Sequence, residues 1–198
     1  MKRIRVDLPA SIEVELEYRR PLAVIEAATD DGPAYLPIDA AGVRLPDADF
    51  SPVERRLLPR ISGITGRPAV GALWNDPRVI DGVRLVGSLA DVWNELRLVE
   101  VVPSSHPQVR GEIRFYTFEI TTSGGTRIVW GAAPGSERDA AESPLVVKRQ
   151  RLLDYAAEHG KLDSIDSPAM VDVRNDLIVV PRTARRPLAD EDATATPK

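Results

Sequence analysis

Short stretches in which apolar and polar residues alternate occupy most of the first 45 positions of the chain. Residues 12–17 are the clearest case, because three apolar residues alternate there with three glutamates. A period of two is typical of a β-strand with one buried and one solvated face. Similar stretches begin at Arg3, Leu22 and Tyr35, with turn-forming residues between them. The pattern predicts a meander of short strands.

Two segments show helical rather than strand-like spacing. Asp76 followed by proline is a typical helix start, with Asp76 as the N-cap, and apolar residues then recur at helical spacing through Arg97. A second amphipathic helix is predicted over residues 145–159, ended by Gly160. Seventeen prolines in 198 residues disfavour an all-helical bundle.

Further strands are predicted around these helices. Extended segments are expected at residues 99–102, 113–121, 127–130 and 170–180. Loops are expected at residues 104–109, 123–125 and 131–144. This mixture of strands and helices predicts the α+β fold class.

The composition argues against several classes of function. The formal net charge is only -4, and acidic and basic residues are mixed along the chain, so no basic stripe indicates nucleic-acid binding. The chain has no cysteine, which excludes disulfides and zinc–thiolate sites. No stretch has the apolar length of a membrane helix, and the charged residues 1–5 are not followed by the apolar run of a signal peptide.

The residues that usually carry catalysis are not grouped in the sequence. His106 is expected in a loop and His159 at a helix end, and neither has a carboxylate at metal-ligand or triad spacing. The glutamates of residues 12–17 share one strand face, whereas a glycosidase needs two carboxylates from separate elements. We therefore expect no catalytic residue, no metal and no cofactor. An α+β enzyme or carbohydrate-binding module of the cell envelope, with an unfamiliar site, remains the alternative.

Six stretches follow one another in an order known from one bacterial protein family. They are residues 8–24, 35–43, 58–63, 113–131, 148–155 and 171–174. Together they resemble the cell-division family FtsQ/DivIB. Residues 8–24 are similar to the last two strands of that family's POTRA domain, although Tyr18-Arg19-Arg20 stands where Glu-Arg-x is usual. Residues 171–174 match the family's short motif of an apolar residue, Asp, Leu or Val, and Arg.

The resemblance implies a division of the chain into three segments. Residues 1–28 would be the C-terminal strands of a truncated POTRA-like domain, and residues 29–181 an FtsQ-type β domain. The implied architecture is a mixed or antiparallel β-sheet domain with helices on one side, preceded by a partial POTRA-like strand pair. Residues 182–198 are polar and rich in Pro, Ala and Thr, which predicts a disordered tail. The sequence does not contain the family's membrane helix or the first half of its POTRA domain. Either the chain is a fragment, or its start is misplaced, or this lineage is truncated. The implied location is the cell envelope, on the periplasmic side of the inner membrane.

The resemblance also implies a non-enzymatic scaffold of the division machinery that acts during septum formation. Its expected partners are FtsB- and FtsL-type division proteins, with no nucleic acid, and with a membrane only through the missing upstream helix. We expect a partner strand to add to the last strand of the ordered chain, at a sheet edge. Arg174 is expected to pair with an acidic group on that partner. The predicted partner-binding residues are Arg174, Asn175, Asp176, Leu177, Ile178, Val179 and Val180.

Overall fold

The computed structural model describes residues 3–7, 11–15, 18–29, 32–160 and 162–182. The strands in these ranges are β1 (Arg3–Asp7), β2 (Ser11–Glu15), β3 (Pro21–Thr29), β4 (Gly32–Asp39), β5 (Arg60–Ile61), β6 (Leu98–Pro103), β7 (Gln108–Arg110), β8 (Ile113–Phe115), β9 (Thr117–Thr122), β10 (Arg127–Ala132), β11 (Met170–Asp172) and β12 (Ile178–Val180). The α-helices are α1 (Pro52–Leu57), α2 (Pro77–Ser88), α3 (Glu137–Ala140) and α4 (Leu145–His159). The predicted α+β class is confirmed.

Eight of the strands form one mixed sheet. Its order is β12-β11-β10-β9-β6-β5-β3-β4. The pairs β3–β5, β5–β6 and β10–β11 are parallel, and the other neighbours are antiparallel. The predicted strands β1 and β2 are confirmed as an antiparallel pair outside this sheet, whereas β3 belongs to it. In the predicted tail only Arg182 lies within the described residues.

One face of the large sheet carries a continuous row of apolar side chains, one from each strand. Directly paired residues on neighbouring strands point to the same face, so the row follows from the register. From β4 to β12 it consists of Leu36, Ile25, Ile61, Val101, Ile120, Ile128, Val171 and Val179. Every member except Val179 is buried. The same core contains Val83 of α2 and Leu152 of α4, so these helices cover this face.

The opposite face of the sheet is charged and partly solvated. Arg60 lies 3.4 Å from Glu26 and 3.9 Å from Glu100. Farther along, Arg127 pairs with Glu119 at 3.3 Å. This division into one apolar and one polar face is what alternating strand sequences produce.

Helix α2 begins where predicted but ends early. Asp76 caps it through a 2.9 Å hydrogen bond to a backbone N–H of the first turn, but the helix stops at Ser88 and not at Arg97. Beyond Ser88 the chain forms tight turns, in which a backbone N–H donates to the carbonyl three residues earlier. The Val92 N–H, for example, donates to the Leu89 carbonyl at 3.1 Å. These turns bury apolar residues every three or four positions. Because this spacing is nearly that of an α-helix, the sequence predicted a longer helix.

Three other segments differ in detail from the predicted strands and loops. The predicted strand 113–121 is two strands, because β8 pairs with β7 in a separate hairpin whereas β9 joins the large sheet. The predicted loop 104–109 contains the start of β7, and the predicted loop 131–144 contains α3. Helix α4 is confirmed at both ends, where Pro144 precedes it and Gly160 follows it.

Gly124, in the turn between β9 and β10, is expected to tolerate no side chain. A Cβ atom there would lie 2.7–2.8 Å from backbone atoms of residues 162–164. Because backbone cannot move aside as a flexible side chain can, Gly124→Ala should lower the free energy of unfolding by about 1–3 kcal/mol. Gly87→Ala is the control, since its Cβ would meet only Leu22 Cδ2 at 3.5 Å and alanine favours the helix. Urea denaturation measures both, and equal stability of the two variants would contradict this packing.

Candidate partner-binding edge

Strand β12, the last in the described chain, lies at one end of the large sheet. It pairs on one side with β11, antiparallel, and no other described strand pairs with it. The predicted edge position of the last strand is therefore found. All seven predicted partner-binding residues, from Arg174 to Val180, are exposed. They form two groups, the bend at residues 174–177 and the strand itself.

The hydrogen-bond pattern shows which backbone groups of β12 face outward. Arg127 donates its N–H to the Ala169 carbonyl at 3.0 Å, and Val173 donates to the Val129 carbonyl at 3.2 Å. This parallel ladder directs the amide and carbonyl of Val171 toward β10, because both groups of a strand residue point to the same side. Val179 is paired with Val171. Its N–H and C=O therefore point away from the sheet.

The apolar row described above also ends on this edge. Val179 is its last member and is 36% exposed, whereas its neighbour Val171 is fully buried. Ile178 and Val180 lie on the other face of β12 and are also exposed. An added strand would continue both the backbone ladder and the apolar row.

The other end of the sheet, β4, is mostly covered, although the Tyr35 N–H also points outward. Pro33 and Pro37 lie in this strand and have no N–H to offer. The Tyr35 carbonyl accepts from Arg55 Nη1 at 3.3 Å, and the Pro37 carbonyl accepts from the N–H of Leu45 at 2.9 Å. The N–H of Asp39 donates to the Val43 carbonyl at 3.1 Å. Proline and covering loops are common protection for an edge strand.

Arg174 is held in place by Asp172. Its Nη2 donates to Asp172 Oδ2 at 2.6 Å, its Nε faces both carboxylate oxygens at 3.1 Å, and its backbone N–H donates to Oδ1 at 3.0 Å. Burial alone would raise the pKa of Asp172, but the hydrogen bonds from Arg174 outweigh it, so this pKa lies below its usual value. About half of the Arg174 side chain, 47%, remains exposed and can contact a partner.

The same arrangement occurs a second time at the start of α2. Arg78 Nη2 donates to Asp76 Oδ2 at 2.7 Å, and the backbone N–H of Arg78 donates to Oδ1 at 2.9 Å. The pKa of Asp76 is also lowered, since these bonds again outweigh the effect of burial. Arg78 is thus a control for Arg174 with the same local chemistry at a distant place in the chain.

The segment before α4 supports the bend that carries Arg174. Ser143 donates its N–H to the Arg174 carbonyl at 2.8 Å, and its Oγ lies 3.3 Å from the Asn175 carbonyl. From α4, Arg151 Nη1 donates to the Val173 carbonyl at 3.0 Å. These bonds fix the direction in which the chain enters β12.

A buried ion pair anchors the same segment to the core. Lys148 is fully buried, and its Nζ donates to Glu142 Oε2 at 2.6 Å and to the Trp130 carbonyl at 3.0 Å. Glu142 also accepts the Ala132 N–H at 2.9 Å. Sequence reasoning missed this pair. The available signal was a lysine four residues before the buried Leu152, on the apolar face of the helix.

The groups considered for catalysis lie apart. His106 is exposed beside Ser105 Oγ at 3.0 Å, and His159 stacks on Tyr155 with ring centroids 4.4 Å apart. The side chains of the predicted glutamate row at residues 12–17 lie outside the described residues. Within the described ranges, no group of three His, Cys, Asp or Glu residues could hold a metal ion.

A cavity of about 330 Å³ lies where β6 begins, beside Leu98 and Val99. Its lining includes Asn94, Arg97 and Asp163. Arg97 Nε lies 3.3 Å from the Asp163 carboxylate, so the two charges neutralise each other. The single carboxylate of this lining does not form the pair that hydrolysis of a glycosidic bond requires.

No model of a known protein family matches this chain, and no curated protein matches it. Among the described helices, none has both the length and the apolar character needed to span a membrane.

Proposed function

We propose that this protein is a non-enzymatic scaffold of bacterial cell division that binds a partner strand at the β12 edge. The observation that carries the proposal is the contrast between the two ends of the sheet. At β4 prolines and hydrogen bonds to neighbouring residues occupy most of the outward groups, whereas both the N–H and the C=O of Val179 in β12 point outward. An open and apolar edge carries a risk of aggregation, which makes a binding role its simplest explanation.

The exposed side chains of β12 suit a partner in an extended conformation. In strand addition, backbone hydrogen bonds supply affinity, and side chains on alternate faces supply specificity. Val179 extends the apolar row on one face, and Ile178 and Val180 lie on the other. The protein thus provides contacts on both faces of an incoming strand.

The identity of the partner comes from the resemblance to FtsQ/DivIB. By that resemblance the chain is the extracytoplasmic part of an inner-membrane division protein, on the periplasmic side, and its partners are FtsB- and FtsL-type proteins. Arg174, which Asp172 and the Ser143 contacts hold in place, then pairs with an acidic group of the partner. Because Arg174 is already ordered in the free protein, little side-chain entropy is lost on binding.

Arg174→Gln is expected to weaken binding about tenfold or more, since a hydrogen-bonded charge pair contributes about 1.5–3 kcal/mol. The measurement is calorimetric titration with the extracytoplasmic segment of the FtsB-type protein from the same organism. Arg78→Gln is the control, because it removes the same type of Asp–Arg contact away from the edge. The affinity of Arg78→Gln should equal that of the parent, and urea denaturation of both variants checks that each remains folded. Absence of binding by the parent, or equal weakening by both variants, would contradict the proposal.

A further inference from the structure

The sequence around β12 is complementary to itself. Residues 176–182 read Asp-Leu-Ile-Val-Val-Pro-Arg, with an apolar centre between one negative and one positive end. When two copies run antiparallel about Val179, Ile178 faces Val180 of the other copy. If the strand extends from Ile178–Val180 to residues 176–182 on pairing, Asp176, which lies in the bend of the single chain, faces Arg182 of the other copy, so opposite charges meet at both ends. Opposite charges across an antiparallel pair are stabilising.

The backbone fits the same register. Val179 points its N–H and C=O outward, so the two copies of this residue can exchange two hydrogen bonds. In an extended continuation of the strand, the next outward residues are Leu177 and Pro181. The Leu177 N–H then faces the Pro181 carbonyl of the other copy. Pro181 has no N–H, which leaves two bonds unformed and keeps the pairing short.

A parallel arrangement is disfavoured by the same residues. In register, it would bring Asp176 beside Asp176 and Arg182 beside Arg182, and like charges directly opposite each other destabilise a strand pair. In the single chain Arg182 is exposed, and its Nη2 donates to the Gly124 carbonyl at 3.0 Å. To pair with Asp176 of a second copy, this guanidinium would have to leave its contact with Gly124.

We propose that two copies of this chain pair through β12 in an antiparallel, two-fold dimer that joins their sheets. The pairing rests on the register and charges of residues 176–182. A second copy would occupy the same Val179 groups as the division partner, so dimer formation and partner binding exclude each other. That consequence, unlike the pairing, rests on the function proposed above. The interface is small, so the dimer should be weak and dependent on concentration.

Sedimentation velocity of the 198-residue chain, from about 10 µM to about 1 mM, tests the pairing. The parent should shift from monomer toward dimer over this range. Asp176→Arg and Arg182→Asp should each weaken dimerisation about tenfold or more, since each places like charges opposite one another. The double variant restores opposite charges, and its dimerisation affinity should return to within about threefold of that of the parent. A parent that stays monomeric, or a double variant no better than the single variants, would overturn the proposal.

Disulfide formation provides a second readout, because the chain has no cysteine of its own. Residues opposite each other in an antiparallel pair lie about 5.5 Å apart between Cα atoms, within disulfide range. Val179→Cys should therefore form covalent dimers readily under mild oxidation. Ile178→Cys should form them slowly, because its counterpart is offset along the strand. Equal rates for the two variants would contradict the register.

The two proposals can fail separately. The Arg182→Asp variant, expected to be monomeric, is titrated with the FtsB-type segment used above. If it is monomeric but does not bind this segment although the parent dimerises, the division partner is wrong and the self-pairing stands. If the parent binds the segment and never dimerises, the self-pairing is wrong and the proposed function stands.

Discussion

Replacing Val179 with proline should abolish most of the binding of a partner strand and leave the fold intact. The Val179 N–H points away from β11, so proline at this position removes no hydrogen bond of the sheet. It does remove the central donor that a partner strand would use, and its ring intrudes on the space of that strand. We expect affinity for the FtsB-type segment to fall about tenfold or more in calorimetric titration.

Ile178→Pro is the matched control for this variant. Ile178 is paired with Asp172, and in this register its N–H points inward to β11. Proline there breaks the internal ladder, so Ile178→Pro should lose stability in urea denaturation whereas Val179→Pro should keep nearly all of it. If Val179→Pro binds as the parent does, the partner does not add to this edge.

Lys148→Met should produce the largest loss of stability, about 3–5 kcal/mol. Methionine has a similar shape, but it cannot donate to Glu142 or to the Trp130 carbonyl. The Glu142 carboxylate, with only 8% of its side chain exposed, would then be buried without its cation. Removing one partner of a buried ion pair costs this much because the remaining charge is uncompensated. Urea denaturation measures the loss.

A second substitution separates the charge effect from the packing effect. Glu142→Gln in the Lys148→Met background removes the buried negative charge, and its amide oxygen can still accept the Ala132 N–H. The double variant should recover a large part of the lost stability, because its two sites are directly coupled. A loss below about 1 kcal/mol for Lys148→Met alone would contradict the inferred role of this pair.

Local patterns in the sequence predict the elements that local forces determine. The strands β1 and β2 follow from period-two alternation, and α4 follows from Pro144 before it and Gly160 after it. The predicted end of α2 at Arg97 was wrong, because tight turns after Ser88 bury apolar residues at nearly helical spacing. No local signal distinguishes these turns from a further turn of helix.

The candidate site depends on contacts between residues far apart in the sequence. The outward direction of Val179 follows from the parallel pairing of β10 with β11, which alternation alone does not predict. Likewise, the partial covering of the β4 edge depends on contacts with Arg55 and Leu45 as well as on its prolines. The sequence predicted an edge strand at the C-terminal side, but the difference between the two edges required the structure.

Residue-specific amide exchange at β12 tests the open edge most directly. The measurement uses the Arg182→Asp variant, in which self-pairing is removed, with and without the FtsB-type segment. In the free protein the Val179 amide should exchange about tenfold or more faster than those of Ile178 and Val180, whose N–H groups face β11. At saturating partner the Val179 amide should become protected. Slow exchange of Val179 in the free protein, or no change on adding the segment, would contradict strand addition at this edge.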